Sequence, residues 1–163
     1  MNKPFLNYLN VKAGSYLMVM PTPGKTETSN SFPDLLFRRF EEGDVEGIRR
    51  IYPAFFEDCP QLKAEEGFIV AEMNGQIVGF FAVTTYMTYP WWDREVKSWC
   101  EIVELHVYHK LWRRGIGTQL VLKALEYAKS KGVEAIYVTT EENNVPARKL
   151  YERCGFEEYE RKI

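Results

Sequence analysis

Gly115-Ile116-Gly117 stands where one periodicity gives way to another, and this joint constrains the fold more than any other stretch. Residues 101–107 (EIVELHV) suit a pleated strand. From Gly115 to Lys131 the apolar residues Ile116, Leu120, Ala124, Leu125 and Ala128 fall on one helical stripe, and Gly132 follows as a helix stop. A strand therefore passes through a short basic loop into a helix that opens on two glycines. The first N–H groups of a helix have no internal partners, and that end carries a partial positive charge. Glycine lets an anion approach the backbone. Arg113 and Arg114 add charge and Thr118 adds a hydroxyl, so the joint reads as a cradle for a pyrophosphate. A lone G-x-G is equally at home in a plain strand-to-helix turn. Two other phosphate loops fit worse. A Walker A loop needs lysine after its last glycine, where Thr118 stands, and a dinucleotide fingerprint needs a third glycine where Leu120 stands.

The rest of the chain gives that joint an α/β setting. Residues 35–40 read as a strand. Gly43-Asp44 reads as a helix N-cap, with Val45, Ile48, Ile51 and Tyr52 at helical spacing and Pro53 ending the run. Residues 68–73 and 76–85 are β-rich and flank Asn74-Gly75, a strong hairpin signal. Residues 87–98 form a loop carrying Tyr89, Trp91 and Trp92. Residues 135–140 make another strand, 144–153 a helix with Pro146 in its first turn, and 156–163 a last strand. The order β-α-β-β-β-α-β-α-β implies an α/β domain with a mixed sheet. Residues 1–33 read as an extension, rich in loop signals around Pro21-Thr22-Pro23-Gly24, with a short strand over Ser15 to Met20. The domain proper is set at 34–163.

Composition narrows the function classes. A net charge of -2 advertises no polyanion-binding surface, so nucleic acid is not expected as a partner. No apolar run approaches the roughly 18 residues of a membrane span, so no membrane is expected either. Three cysteines without a CxxC pair argue against a disulfide framework, and with only two histidines no metal is expected. A cytoplasmic, reducing location follows.

Two stretches carry a family resemblance. The first is Leu105-His106-Val107 followed, without a gap, by Tyr108 to Gly117. It resembles the cofactor motif Gln/Arg-x-x-Gly-x-Gly/Ala of the GCN5-related N-acetyltransferases, which follows a strand ending in valine. The second is Asn144-Val145-Pro146-Ala147-Arg148-Lys149-Leu150-Tyr151-Glu152-Arg153-Cys154-Gly155-Phe156, a complete match to Asn-x-x-Ala-x-x-Leu-Tyr-x-x-x-Gly-Phe. The likeness runs from about Leu35 to the C-terminus. It departs at Trp112, where the family usually has Gln or Arg. The backbone N–H groups with Arg113 and Arg114 are then expected to carry the pyrophosphate. Only seven residues follow Phe156, so the family's last hairpin looks short, and the N-terminal segment is a candidate to replace a strand.

The resemblance implies the GNAT fold, a mixed, mostly antiparallel sheet with helices on both faces. It also implies acetyl transfer from acetyl-CoA to an amine in a ternary complex. It assigns cofactor contacts to Leu105, His106, Val107, Arg113, Arg114, Gly115, Ile116, Gly117, Thr118, Asn144 and Tyr151. For Leu105 and Val107 the contact is backbone pairing with the pantetheine arm, beside ordinary core packing. For Asn144 a helix N-cap is at least as good a reading. Tyr151 is implied as the acid that protonates the leaving thiolate, against a core tyrosine. The base that deprotonates the amine is Glu101 first, Glu104 in reserve and His106 third. Strand alternation puts the two glutamates on opposite faces unless a bulge intervenes. Tyr86, Tyr89, Trp91, Trp92 and Trp99 read either as an aromatic wall for a cationic acceptor, with Asp93 and Glu95 nearby, or as core or a homodimer interface. The acceptor is a small-molecule or peptide amine. The rival is a non-catalytic acyl-CoA sensor that keeps the glycine loop alone.

Overall fold

The computed structural model describes residues 15–21, 32–88, 90, 95–141 and 143–158. Its strands are β1 (Ser15–Pro21), β2 (Leu35–Arg39), β3 (Gly67–Met73), β4 (Gln76–Tyr86), β5 (Trp99–Val107), β6 (Ala135–Glu141) and β7 (Glu157–Glu158). Its α-helices are α1 (Val45–Ile51), α2 (Phe55–Asp58), α3 (Ile116–Ser130) and α4 (Val145–Arg153). One sheet runs in the order β2-β3-β4-β5-β6-β1-β7. Every pairing is antiparallel except β5 with β6. The mixed, mostly antiparallel sheet expected from the sequence is therefore present.

Local chemistry explains the joints. Asn74 and Gly75 both take positive φ, 51° and 78°, as a tight hairpin turn whose twist matches its strands requires. Pro53 ends α1 because the residue before a proline is pushed out of the helical region, and Tyr52 sits at ψ 92°. Asp44 departs from its expected part. Its carboxylate makes no cap bond to α1. It accepts two hydrogen bonds from Arg38 at 2.8 Å each and one from the Glu41 N–H at 2.8 Å. A bidentate guanidinium pair competes well against a neutral cap bond, and Arg38 holds the Asp44 carboxyl below its ordinary range.

The strand expected at Ser15 to Met20 exists as β1, and it does not lie at an edge. It pairs with β6 along its whole length, Ser15 opposite Glu141 through Pro21 opposite Ala135, and pairs with β7 on its other side. Of the last strand expected at 156–163, the described part is β7.

The sheet divides the core into two layers. Phe81 and Val83 of β4 face α3 and α4, where Ile116, Leu120, Val121, Ala124, Leu125 and Ala128 make the helical stripe. Phe80 and Ala82 face α1 and α2, with Ile48, Phe55, Leu62, Phe68 and Val70. Phe55 is the hub of this second layer. Its ring lies 5.1, 5.3 and 4.9 Å from those of Phe56, Phe68 and Phe80. Phe55→Ala should cost about 3–5 kcal/mol. At roughly 2–4 °C per kcal/mol for a domain of this size, thermal melts should show a fall in Tm of about 6–20 °C. A melt unchanged from the parent would contradict the hub.

Candidate active site

The parallel pair β5 and β6 opens into a wedge. The two strands are in register only from Trp99 opposite Ala135 to Ile102 opposite Val138. At that point the β4–β5 register shifts: Val83 faces Ile102 and Ala82 faces Glu104, so Val103 is the extra residue of a bulge. Beyond it β5 stays with β4 as far as Val107, while β6 stays with β1. Tyr108 donates its N–H to the Val78 carbonyl at 2.9 Å. Strand alternation then turns the N–H and C=O of Leu105 and Val107 away from β4 and into the wedge, and those of His106 back toward β4. Leu105 and the Val107 N–H thus form a free edge in the wedge, while the Val107 carbonyl accepts from Trp112 Nε1 at 2.7 Å. Any part played by His106 falls to its side chain.

At the wide end of the wedge lies the glycine loop. Gly115 sits at φ 92° as the N-cap of α3, a left-handed conformation that glycine adopts without a Cβ penalty. Its N-cap is a glycine, with no side chain to bond the first N–H groups, so among the described residues these remain available to an anion. Gly117 answers a second demand: a Cβ there would lie 3.3 Å from Leu150 Cδ2 on α4 and 3.8 Å from Val107 Cγ2. Arg113 and Arg114 are exposed beside the loop and Thr118 is half-buried, whereas the Ile116 side chain belongs to the core.

The bulge also decides where the carboxylates point. Glu101 faces Thr84 and Glu104 faces Ala82, and those two β4 residues share a face. Glu101 and Glu104 are therefore on the same face, the α1/α2 side, and simple alternation is corrected by the extra residue Val103. Their surroundings differ. Glu101 is 4% exposed and lies where β5 and β6 are still paired, opposite Tyr137. Glu104 lies above the bulge, its side chain 22% exposed. One of its oxygens is 2.5 Å from His106 Nε2, and the other accepts from the Cys59 thiol at 3.5 Å. The His106 ring packs on Tyr52 and Phe80 at 5.0 and 5.1 Å, and the Tyr52 hydroxyl donates to Asp58 at 2.5 Å. Burial, with the charge of Glu104, pushes the Cys59 thiol up to about 11. Cys59 and Tyr52 were not foreseen. They come from the connection between α1 and β3, and no motif marks them. The pairing of Glu104 with His106 was legible, since residues two apart on a strand share a face.

Tyr151 on α4 is buried, 6% exposed, with its ring 5.6 Å from that of Phe156. Burial raises its phenol above the ordinary range, and the negative charge of Glu104 pushes the same way. Asn144 does cap α4, its side-chain oxygen accepting from the Ala147 N–H at 3.2 Å. Cys100 points to the opposite face from Glu101. It is fully buried, its sulfur lies 3.3 Å from Thr85 Oγ1, and burial raises its thiol. In the aromatic group, Trp99 is 0% exposed, stacked on Tyr86 at 4.1 Å and edge-on to Tyr137 at 5.5 Å, so this part is core. Tyr89, Trp91, Trp92 and Asp93 lie outside the described residues. A surface cavity of about 250 Å³ lined by Phe37, Lys123, Glu126 and Tyr127 sits along α3, away from the wedge and from these groups. Among the described residues, no group of three or more His, Cys, Asp or Glu side chains is placed to hold a metal ion. None of the described helices is long and apolar enough to cross a membrane.

The model of the acetyltransferase (GNAT) family matches residues 30–156. The chain belongs to the GNAT family. An uncharacterized N-acetyltransferase of Methanocaldococcus jannaschii is 42% identical over 96 residues, 59% of this chain and 41% of that protein. The chain thus spans under half the length of this relative. The uncharacterized N-acetyltransferase YhfO of Bacillus subtilis is 29% identical over 128 residues, 76% and 80% of the two chains. Among solved structures, an aminoglycoside N-acetyltransferase AAC(6')-Iy in complex with CoA shares the fold. Its TM-score is 0.64 at 19% identity, over 79% of this GNAT chain and 91% of that one.

Proposed function

We propose that this chain transfers an acetyl group from acetyl-CoA to a primary amine by direct attack in a ternary complex. The observation that carries this reading is the wedge itself, which has an anion cradle at its wide end and Glu104 and Tyr151 within electrostatic reach of each other. The free backbone edge formed by Leu105 and the Val107 N–H suits the amide-bearing pantetheine arm. The N-terminus of α3, with Arg113 and Arg114, suits the pyrophosphate. Glu104, directly or through His106, takes a proton from the acceptor ammonium. The freed amine forms the C–N bond as the C–S bond breaks, Tyr151 gives its proton to the departing sulfur, and the second proton shed by the nitrogen as the amide forms restores the Tyr151 phenol through solvent. Glu101 has the weaker claim to the base, because it is buried in the closed part of the sheet. A buried thiol with a raised pKa is a poor nucleophile, so Cys100 is not read as a covalent relay.

The acceptor is read as a small-molecule or peptide amine. One relative, from Sulfurisphaera tokodaii and 28% identical over 66% of each chain, is named an N-alpha-acetyltransferase. Three free thiols fit a reducing, cytoplasmic setting. The test is thiol release from acetyl-CoA against a panel of small amines, polyamines, aminoglycosides and peptides with free N-termini. Release with at least one acceptor, rising with its concentration, is expected. Coenzyme A binding with no release across the panel would refute transfer and leave a sensor.

A further inference from the structure

Trp112 occupies the one motif position where this chain departs from its family's usual Gln or Arg, and the structure gives it a contact of its own. Its indole Nε1 donates to the carbonyl of Val107, the last residue of β5, at 2.7 Å. The ring is otherwise 63% exposed, so burial does not hold it there. Between the two ends of this bond the chain makes a tight turn at His109–Leu111, with Leu111 donating to Tyr108 at 2.8 Å and Trp112 to His109 at 3.3 Å. Trp112 is thus tied to the strand by its side chain and to the turn by its backbone N–H.

The next residue shows what the tie secures. Arg113 sits at φ 66°, in the left-handed region that a residue with a Cβ seldom adopts. Such conformations persist where the surroundings over-determine them. Gly115 is left-handed too, but as glycine it needs no outside support. Arg113 stands three residues before the first helical residue of α3, Ile116, with Arg114 and the N-cap Gly115 between. Loss of its conformation would re-aim the N–H groups at the start of α3.

We propose that Trp112 is a positioning residue. Its indole strap from α3's loop to the end of β5 holds Arg113 left-handed and so sets the anion cradle before the cofactor arrives. The strap also uses the Val107 carbonyl, leaving the Val107 N–H and the Leu105 groups as the free edge of the wedge. This proposal rests on the reading of the loop as the coenzyme A site.

The experiment is a double-mutant cycle on the dissociation constant of coenzyme A, measured by calorimetry, with thermal melts confirming that each variant is folded. W112F removes the indole N–H at an exposed position. It should weaken binding roughly five- to tenfold, the worth of one hydrogen bond expressed as affinity. The loss should fall on the KM for acetyl-CoA rather than on kcat. R113G removes the need for support, because glycine adopts that φ unaided. In the R113G background, W112F should therefore cost less than about twofold. Unchanged or tighter binding by W112F would overturn the strap. So would an equal loss in both backgrounds, which would mean that Trp112 touches the cofactor directly. Failure of the parent to bind coenzyme A would refute the reading of the loop itself, and the strap with it.

Discussion

Tyr151→Phe should lower kcat roughly 100-fold or more while changing the affinity for coenzyme A by less than about twofold. A positioned general acid contributes on the order of 10²–10⁴ in rate. Phenylalanine keeps the ring that packs on Phe156 and removes only the oxygen. An acid must hold its proton until the leaving sulfur develops charge, and the environment of Tyr151 favours this. Burial first, and then the charge of Glu104, raise its phenol above the ordinary value of about 10. Tyr151 therefore stays protonated through neutral and mildly alkaline pH, and no alkaline limb of the rate profile below about pH 10 should belong to it. A group whose folded pKa is raised contributes stability that is fully present below its unfolded pKa and is lost as pH rises toward the folded one. The parent should lose stability above about pH 10 more steeply than Tyr151→Phe does. Steady-state kinetics, calorimetry with coenzyme A and alkaline melts check the three parts. An unchanged kcat would end the acid role.

What the sequence showed well was whatever a period or a turn residue encodes. The stripe from Ile116 to Ala128 and the Asn74-Gly75 hairpin are local, and both stand where expected. So do the strand and helix flanking Gly115. The motif pointed to the edge at Leu105 and Val107, and strand parity set His106 on the other face from those two residues. The bulge at Val103 was not legible. It depends on how β4 and β5 settle against two cores at once, and nothing in the letters around Val103 marks an extra residue. Its consequence was large, because it turned Glu101 and Glu104 to one face. Cys59 and Tyr52 were out of reach for another reason. They meet Glu104 and His106 across 45 and 54 positions of chain through the packing of α2, which has only four residues and too little length to show a period. Asp44 shows a third limit. It is a good N-cap residue by type, yet a bidentate arginine six residues back outcompeted the cap.

The bulge gives the second large effect its direction. Glu104→Gln should lower kcat/KM roughly 100-fold or more and remove the acidic limb of its pH profile, whereas Glu101→Gln should lose no more than about tenfold and keep the limb. An ascending limb reports loss of a proton from the base of the free enzyme. A glutamine cannot titrate, so the limb must vanish with whichever carboxylate produces it. Glu104 is favoured on geometry. It stands above the point where β6 leaves β5, partly open, with its carboxylate held by His106 on one oxygen and Cys59 on the other. Both donors orient the carboxylate without burying it, and His106 supplies a second group able to pass the proton on. Glu101 stands below that point on the same face, 4% exposed, which leaves an acceptor amine little open surface by which to approach it. The substitution is nearly isosteric, so both variants should melt close to the parent, and a loss of rate can be read as chemistry. If the limb survives Glu104→Gln and disappears in Glu101→Gln, the proton leaves through the closed part of the sheet, and the wedge alone does not define the acceptor side.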